Sequence, residues 1–148
     1  MRIYLDLCCL KRPFDVQEQA LVRIQTQAVV SILALPPERA QLIRSEAHAY
    51  ENSFNPLKLR REAIEAWIAQ APLSVLTESE LATRTDELMR QGFKSFDAVH
   101  LATAELAGAD LFVTVDIRFL KVASRISTIR CRVTDPVTLI EDLSQWKH

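Results

Sequence analysis

Glycine is scarce in this chain: only Gly92 and Gly108 occur among its 148 residues. Phosphate-binding loops such as GxGxxG and the P-loop need several glycines close together, because their backbone must approach the phosphates closely. Two glycines that lie far apart in the sequence cannot form such a loop. The composition therefore excludes a nucleotide-binding protein built on a glycine-rich phosphate cradle.

Cysteine, net charge and long apolar runs are equally limited. The three cysteines, Cys8, Cys9 and Cys131, provide neither a disulfide framework nor a CxxC metal-binding pair, so we expect inert thiols in a reducing cytoplasm. A formal net charge of −1 means that nucleic acid would have to be bound through local basic patches or metal ions. No apolar run approaches the ~18 residues of a membrane span, and no signal peptide precedes the first strand-like run. We expect a soluble, cytoplasmic protein with no membrane contact.

What the chain does contain is an alternation of short apolar runs and amphipathic segments. Strands are predicted at residues 2–5, 41–44, 73–76, 111–114 and 129–133. Helices are predicted at residues 18–35, 45–52, 57–70, 77–91, 95–107, 117–123 and 136–146, with a capping box at Thr77 and Glu80. Residues 7–15, which include Arg12-Pro13, are expected to form a loop. This order predicts one domain over residues 1–148, a three-layer α/β/α sandwich with a central, mostly parallel sheet.

Acidic residues recur where predicted strands end. Asp6 ends the first strand, Asp116 follows the strand at residues 111–114, and Asp97 lies in the first turn of the helix between them. Ligands of open α/β sheets bind at the carboxyl ends of the strands. Carboxylates ~4 Å apart repel by roughly 4 kcal/mol at an effective dielectric constant near 20, so such a cluster needs protons or a cation. Oxygen ligands select Mg²⁺ or Mn²⁺, and these ions suit phosphodiester cleavage.

Two glutamates follow the second strand, and only one can face this site. Glu46 and Glu51 lie about 140° apart around a helix that Ser45 begins. Glu46 suits the positive end of the helix dipole and needs no other role. Glu51 lies beyond the first turn, where the dipole gives it no advantage. We therefore expect Glu51 to face the acids.

Several of these residues fall into a known pattern. The chain resembles the PIN-domain family, in particular its VapC-like members from prokaryotic toxin–antitoxin pairs. The segments that carry the resemblance are Ile3–Asp6, Ser45 with Glu51 six residues later, Asp97–Ala104, and Thr114–Asp116 with Phe119. The resemblance implies an endoribonuclease that uses Mg²⁺ or Mn²⁺, a small antitoxin partner and, often, a homodimer.

The resemblance also implies roles for individual residues. Its catalytic acids are Asp6, Glu51, Asp97 and Asp116; Asp6, Asp97 and Asp116 would hold the metal, and Glu51 would assist. We expect Thr114 and His100 to support the site, with His100 as a packed, hydrogen-bonded residue rather than a ligand. Arg12, Lys94 and Arg118 lie in predicted loops near the acids and are candidates for RNA phosphate contact. Many family members carry serine or threonine shortly after the first aspartate, whereas this chain has Leu7-Cys8-Cys9.

Two other functions fit the sequence less closely. The first is a non-catalytic PIN-like module for RNA binding or assembly, which the Leu7-Cys8-Cys9 departure allows. The second is a phospho-acceptor domain of the receiver type, which is also doubly wound and also has clustered acids. A receiver needs paired acids near the first strand, and Asp6 has no acidic neighbour. Metal-dependent RNA cleavage would separate the nuclease from both alternatives.

Overall fold

Four short strands form a parallel sheet at the centre of the molecule. The computed structural model describes residues 1–145. The strands are β1 (Arg2–Leu5), β2 (Gln41–Leu42), β3 (Leu111–Val113) and β4 (Arg132–Thr134). Their order is β2-β1-β3-β4, and every neighbouring pair is parallel. Because β2 and β3 lie on opposite sides of β1, a crevice opens at the carboxyl ends of β1 and β3.

Helices cover both faces of this sheet. Within the described residues they are α1 (Leu7–Lys11), α2 (Ala20–Leu33), α3 (Glu46–Asn52), α4 (Lys58–Ile68), α5 (Glu78–Arg90), α6 (Ser95–Leu106), α7 (Ile117–Ser124) and α8 (Pro136–Gln145). Side chains alternate along β1, so Ile3 and Leu5 join one apolar core while Tyr4 joins the other. Helices α1, α2, α4 and α8 contribute to the first core, and α5, α6 and α7 to the second. The predicted three-layer α/β/α fold is confirmed.

Local sequence signals set several of the helix ends. Gly108 ends α6 with a φ of 78°, and the N–H groups of Gly108 and Ala109 donate to the carbonyl oxygens of Glu105 and Ala104. Ser45 caps α3, as predicted, by accepting a hydrogen bond from the backbone N–H of His48. These ends matter because α3 carries Glu51 and α6 carries Asp97 and His100.

The predicted loop at residues 7–15 is wrong. Helix α1 begins directly after Asp6, whose carboxylate accepts the Leu7 N–H, and a 3-10 turn follows at Arg12–Phe14. Proline is compatible with the first positions of a helical turn, since its missing N–H has no partner there. Pro13 therefore did not require a loop.

Two further local predictions are wrong, and the position of one strand is shifted. Residues 73–76 form no strand; only an isolated bridge joins Leu73 to Arg44. The sequence there lacks a neighbour that could continue the pairing, because β2 is only two residues long. Thr77 begins α5 without a side-chain hydrogen bond, so the predicted capping box does not form. The last strand also lies later than predicted, at Arg132–Thr134.

The helix after Asp135-Pro136 begins as predicted. Asp135 accepts a hydrogen bond from the backbone N–H of Thr138, in the first turn of α8. The predicted end of this helix at Trp146 lies outside the described residues. Within residues 1–145, no helix is both long enough and apolar enough to cross a membrane.

Candidate active site

The pairing of β1 with β3 places Asp6 beside Thr114. Leu5 pairs with Val113, and the backbone N–H of Asp6 donates to the Val113 carbonyl oxygen over 2.9 Å. The next residue, Thr114, is fully buried and donates its hydroxyl to Asp6 Oδ2 over 2.9 Å. The same hydroxyl oxygen accepts the backbone N–H of Asp116 over 3.1 Å. Thr114 thus fixes both aspartates at the switch point of the sheet.

Cys8 supplies a polar contact that the sequence did not lead us to expect. Its Sγ lies 3.3 Å from Asp6 Oδ2 and 3.2 Å from Thr114 Oγ1. The helical turn of α1 brings a side chain two residues after Asp6 back onto the carboxylate. The thiol therefore contacts both Asp6 and Thr114 from a position two residues after the first aspartate. The expectation of an inert thiol did not include this contact. A loop at residues 7–15 gives no reason for Cys8 to face Asp6, whereas helix α1 does.

Asp6 is almost completely buried, with 7% of its surface exposed. Burial raises its pKa, and the charge of His100 and the hydrogen bonds from Thr114 and Cys8 offset part of that rise. Asp116 is less buried and caps α7, because its Oδ1 accepts the backbone N–H groups of Arg118 and Phe119. Asp116 is therefore the N-cap of α7, and its Oδ2 lies outside these capping bonds.

Asp97 is an acid whose pKa is raised by its surroundings. Burial raises its pKa from 3.8 to about 6, and the charges of Asp6 and Asp116 add to the rise. Within residues 1–145, no N–H or O–H group donates a hydrogen bond to its carboxylate. A helix cap would accept a backbone N–H, but Lys94 is the N-cap of α6 and Asp97 lies in its first turn. The Asp97 carboxylate therefore does not cap α6, and it lies close to other acids.

Glu51 reaches the group from α3, while Glu46 is exposed at the start of that helix. Glu51 Oε2 accepts a hydrogen bond from His100 Nε2 over 3.0 Å. Burial acts to raise the pKa of Glu51, but the hydrogen bond and charge of His100, with Lys11 nearby, lower it overall. One carboxylate oxygen each of Asp6 and Glu51 and one ring nitrogen of His100 lie within 4.8 Å of one another.

The candidate basic residues are placed differently from one another. Lys94 and Arg118 are exposed and line a small recess together with Asp97. Arg12 is partly buried and forms an ion pair of 3.1 Å with Asp15. Two of the three residues thus adjoin the acids with their charges available, and the charge of the third is offset by Asp15.

These residues fit a divalent cation. Asp6, Asp97 and Asp116 offer hard oxygen ligands, and the Asp97 carboxylate has no donor within residues 1–145 to balance its charge. A cation would offset the repulsion that raises the Asp97 pKa. His100 is a poor candidate ligand despite its proximity, because its Nε2 faces Glu51 and its Nδ1 faces the Tyr4 hydroxyl. The acids whose oxygens lie within 4.8 Å of one another are therefore Asp6 and Glu51, and residues 1–145 contain no such group that includes Asp97 or Asp116.

Comparison with known proteins gives the same fold. VapBC-1 from nontypeable Haemophilus influenzae is similar with a TM-score of 0.61 and 15% identity, covering 92% of this chain and 98% of that one. VapBC2 from Rickettsia felis, crystallised with a DNA fragment from its promoter, gives 0.55 and 12%, covering 91% and 98%. No curated protein matches the chain.

Family membership rests on the sequence itself. Residues 15–125, more than half of the chain, match the model of the PIN domain. The match includes Glu51, Asp97 and Asp116, while Asp6 precedes it. Together with the parallel sheet and its switch point, this match shows that the chain belongs to the PIN-domain family.

Proposed function

We propose that this protein is a metal-dependent endoribonuclease that hydrolyses RNA phosphodiester bonds as the toxin of a type II toxin–antitoxin pair. The observation that carries the proposal is the meeting of acids at one edge of the sheet: Asp6 and Glu51 oxygens lie within 4.8 Å of each other, and burial, then the charges of Asp6, Asp116 and Glu51, act to raise the pKa of Asp97. Four carboxylates therefore act on one another at the carboxyl ends of β1 and β3. A structural role for so much unbalanced negative charge is hard to find, whereas a metal-assisted nuclease requires it.

Each acid has a distinct role in this proposal. Asp6, Asp97 and Asp116 would hold Mg²⁺ or Mn²⁺, with Asp6 and Asp116 fixed in place by Thr114. When bound, such an ion supplies Lewis acidity, lowering the pKa of water and balancing charge on the phosphate. Glu51 is ionised at neutral pH because its pKa is lowered, so it can accept the proton that the attacking water loses.

The surroundings of the acids suit an RNA backbone. Lys94 and Arg118 line the recess beside Asp97, where two positive charges can receive the phosphates that flank the scissile bond. Arg12 is the weaker candidate, since Asp15 already balances its charge. The likeness to VapBC structures supports a small antitoxin as the protein partner. A homodimer is proposed on the family resemblance alone. An RNA substrate and an antitoxin would both be met in the cytoplasm.

The test is cleavage of a defined RNA by the purified protein with Mn²⁺, with Mg²⁺ and with a chelator. We expect cleavage with either metal and none with the chelator. Asp97→Asn should remove cleavage while leaving the fold intact, because it deletes one anionic ligand from a site that needs several. Glu46→Gln is the matched control, since Glu46 is an exposed acid on the neighbouring helix and should leave cleavage unchanged.

Two outcomes would refute the proposal. Cleavage that persists in chelator would exclude a metal-dependent reaction. RNA binding without cleavage at any metal concentration would favour the non-catalytic PIN-like module instead. Cleavage by Asp97→Asn at the unmutated rate would leave the nuclease in place but move its site away from Asp97.

A further inference from the structure

A chain of buried hydrogen bonds runs from Glu51 into the core of the protein. Glu51 contacts His100, His100 contacts the Tyr4 hydroxyl, and that hydroxyl lies 2.8 Å from Ser45 Oγ. Ser45 contacts His48 through both its backbone N–H and its hydroxyl, at 3.3 Å each. All of these residues except Glu51 are at most 2% exposed. We call Ser45, Tyr4 and His100 the buried relay.

The two ends of this chain determine where its protons lie. The Glu51 carboxylate can only accept, so His100 Nε2 carries a proton and donates it. The Leu5 carbonyl oxygen can likewise only accept, so His48 Nε2 donates to it over 2.6 Å. Where each ring carries only this one proton, both Nδ1 atoms are acceptors. The Tyr4 hydroxyl donates to His100 Nδ1, and the Ser45 hydroxyl is free to donate to Tyr4.

Aromatic packing holds the middle of the chain rigid. The Tyr4 ring stacks on His48 with centroids 4.4 Å apart and on Phe112 with centroids 5.4 Å apart. The edge of Tyr4 meets His100 at 5.7 Å. Tyr4 is fully buried on the central strand β1, so its hydroxyl cannot move without disturbing the core. Tyr4 therefore fixes the orientation of the His100 ring through its contact with Nδ1, while Nε2 contacts Glu51.

Glu51 needs such support to stay beside Asp6. Its side chain is 29% exposed, and it has more rotatable bonds than an aspartate. One of its carboxylate oxygens lies within 4.8 Å of an Asp6 oxygen, and two carboxylates at this distance repel each other. Without His100, the repulsion would favour conformers in which Glu51 turns toward solvent. His100 holds it against that repulsion.

We propose that Tyr4 and Ser45 are positioning residues of the nuclease site. They orient His100, and His100 in turn holds the Glu51 carboxylate beside Asp6. The importance of Glu51 rests on the proposed function, whereas the proton positions in the buried relay do not. Neither Tyr4 nor Ser45 is exposed enough to touch RNA, so they act only through Glu51.

Tyr4→Phe is the sharpest test, because it keeps the stacked ring and removes only the hydroxyl. We expect kcat to fall by about tenfold, with KM for RNA unchanged. In the Glu51→Gln background the same substitution should cause no further loss, since there is no carboxylate left to position. Leu88→Val is the control, as it disturbs the same apolar core from α5 without removing a member of the hydrogen-bond chain, and kcat should stay within about twofold. Equal losses from Tyr4→Phe in both backgrounds would overturn the proposal.

A second readout does not depend on cleavage. In ¹⁵N-histidine-labelled protein, NMR should show a proton on Nε2 of both His48 and His100. Tyr4→Phe should shift the Nδ1 resonance of His100 and leave Nε2 of His48 unchanged. An unshifted His100 Nδ1, or a neutral His100 with its proton on Nδ1, would overturn the proposal. If the NMR result is as expected but the unmutated protein cleaves no RNA, the proposed function fails and the proton positions stand.

Discussion

Asp97 offers a prediction in which stability and activity change in opposite directions. Its pKa rises from 3.8 to about 6 in the folded protein, through burial and then through the charges of Asp6 and Asp116. The folded protein therefore holds the Asp97 proton more tightly than the unfolded chain does. Its free energy of unfolding must fall as pH rises from about 4 to about 6, and the deficit persists at neutral pH.

The size of the effect follows from the shift. About two pKa units correspond to about 3 kcal/mol. Asp97 is only half-buried, so solvent screens part of this cost and we expect about 1–2 kcal/mol in practice. Asp97→Asn, which removes the charge and keeps the shape, should be more stable than the unmutated protein by that amount at pH 7.5. For a chain of this length the melting temperature should rise by roughly 3–6 °C.

The assay is thermal or urea unfolding in chelator, at pH 7.5 and again at pH 4. The gain should be present at pH 7.5 and mostly lost at pH 4, where Asp97 is protonated in the unmutated protein. Glu46→Gln serves as the control, and its exposed charge at a helix start should give no gain at either pH. If Asp97→Asn were no more stable than the unmutated protein at pH 7.5, the claim that this carboxylate is held among like charges would be refuted.

Three further outcomes follow from the site. Millimolar Mg²⁺ or Mn²⁺ should raise the melting temperature of the unmutated protein, because a ligand that binds only the folded state stabilises it. The same ions should have little effect on the melting temperature of Asp97→Asn. Equal responses of the two proteins would argue against a metal at Asp97. Glu51→Gln should lower cleavage by at least ~10²-fold, whereas Glu46→Gln should cost at most about 1 kcal/mol of stability and little activity, and the opposite ranking would place Glu46 in the site. Cys8→Ser should cleave nearly as fast as the unmutated protein because it keeps a donor to Asp6, while Cys8→Ala should be slower by up to about tenfold; equal rates would show that the thiol contact is unimportant.

The sequence correctly predicted those parts of the fold that depend on a few neighbouring residues. The buried run at β3, the glycine that ends α6 and the serine that begins α3 each show their role within a few residues. The family was also predictable from the sequence, since Asp97–Ala104, one of the segments that carry the resemblance, is continuous in the chain. The errors fall where tertiary contacts decide the outcome. Residues 73–76 had the pattern of a strand, but no neighbouring strand extends far enough to pair with them.

The candidate site was predictable as a set of residues but not as an arrangement. The rule that strand ends carry ligands brought Asp6 and Asp116 together, and helix geometry chose Glu51 over Glu46. The contact between Tyr4 and His100 joins residues 96 positions apart, and neither residue type predicts such a contact. The catalytic and metal-binding roles of the four acids stay predictions until cleavage is measured.

The bond between Thr114 and Asp6 has a consequence for the newly made protein. It joins residues 108 positions apart, and it depends on β1 pairing with a strand near the other end of the chain. During synthesis at roughly 5–20 residues per second, Asp6 waits at least several seconds for this partner. Any fragment that stops before β3 has the first acid but not the strand that fixes it, nor Asp116. The site is thus assembled late, and translation products that end before β3 cannot contain it.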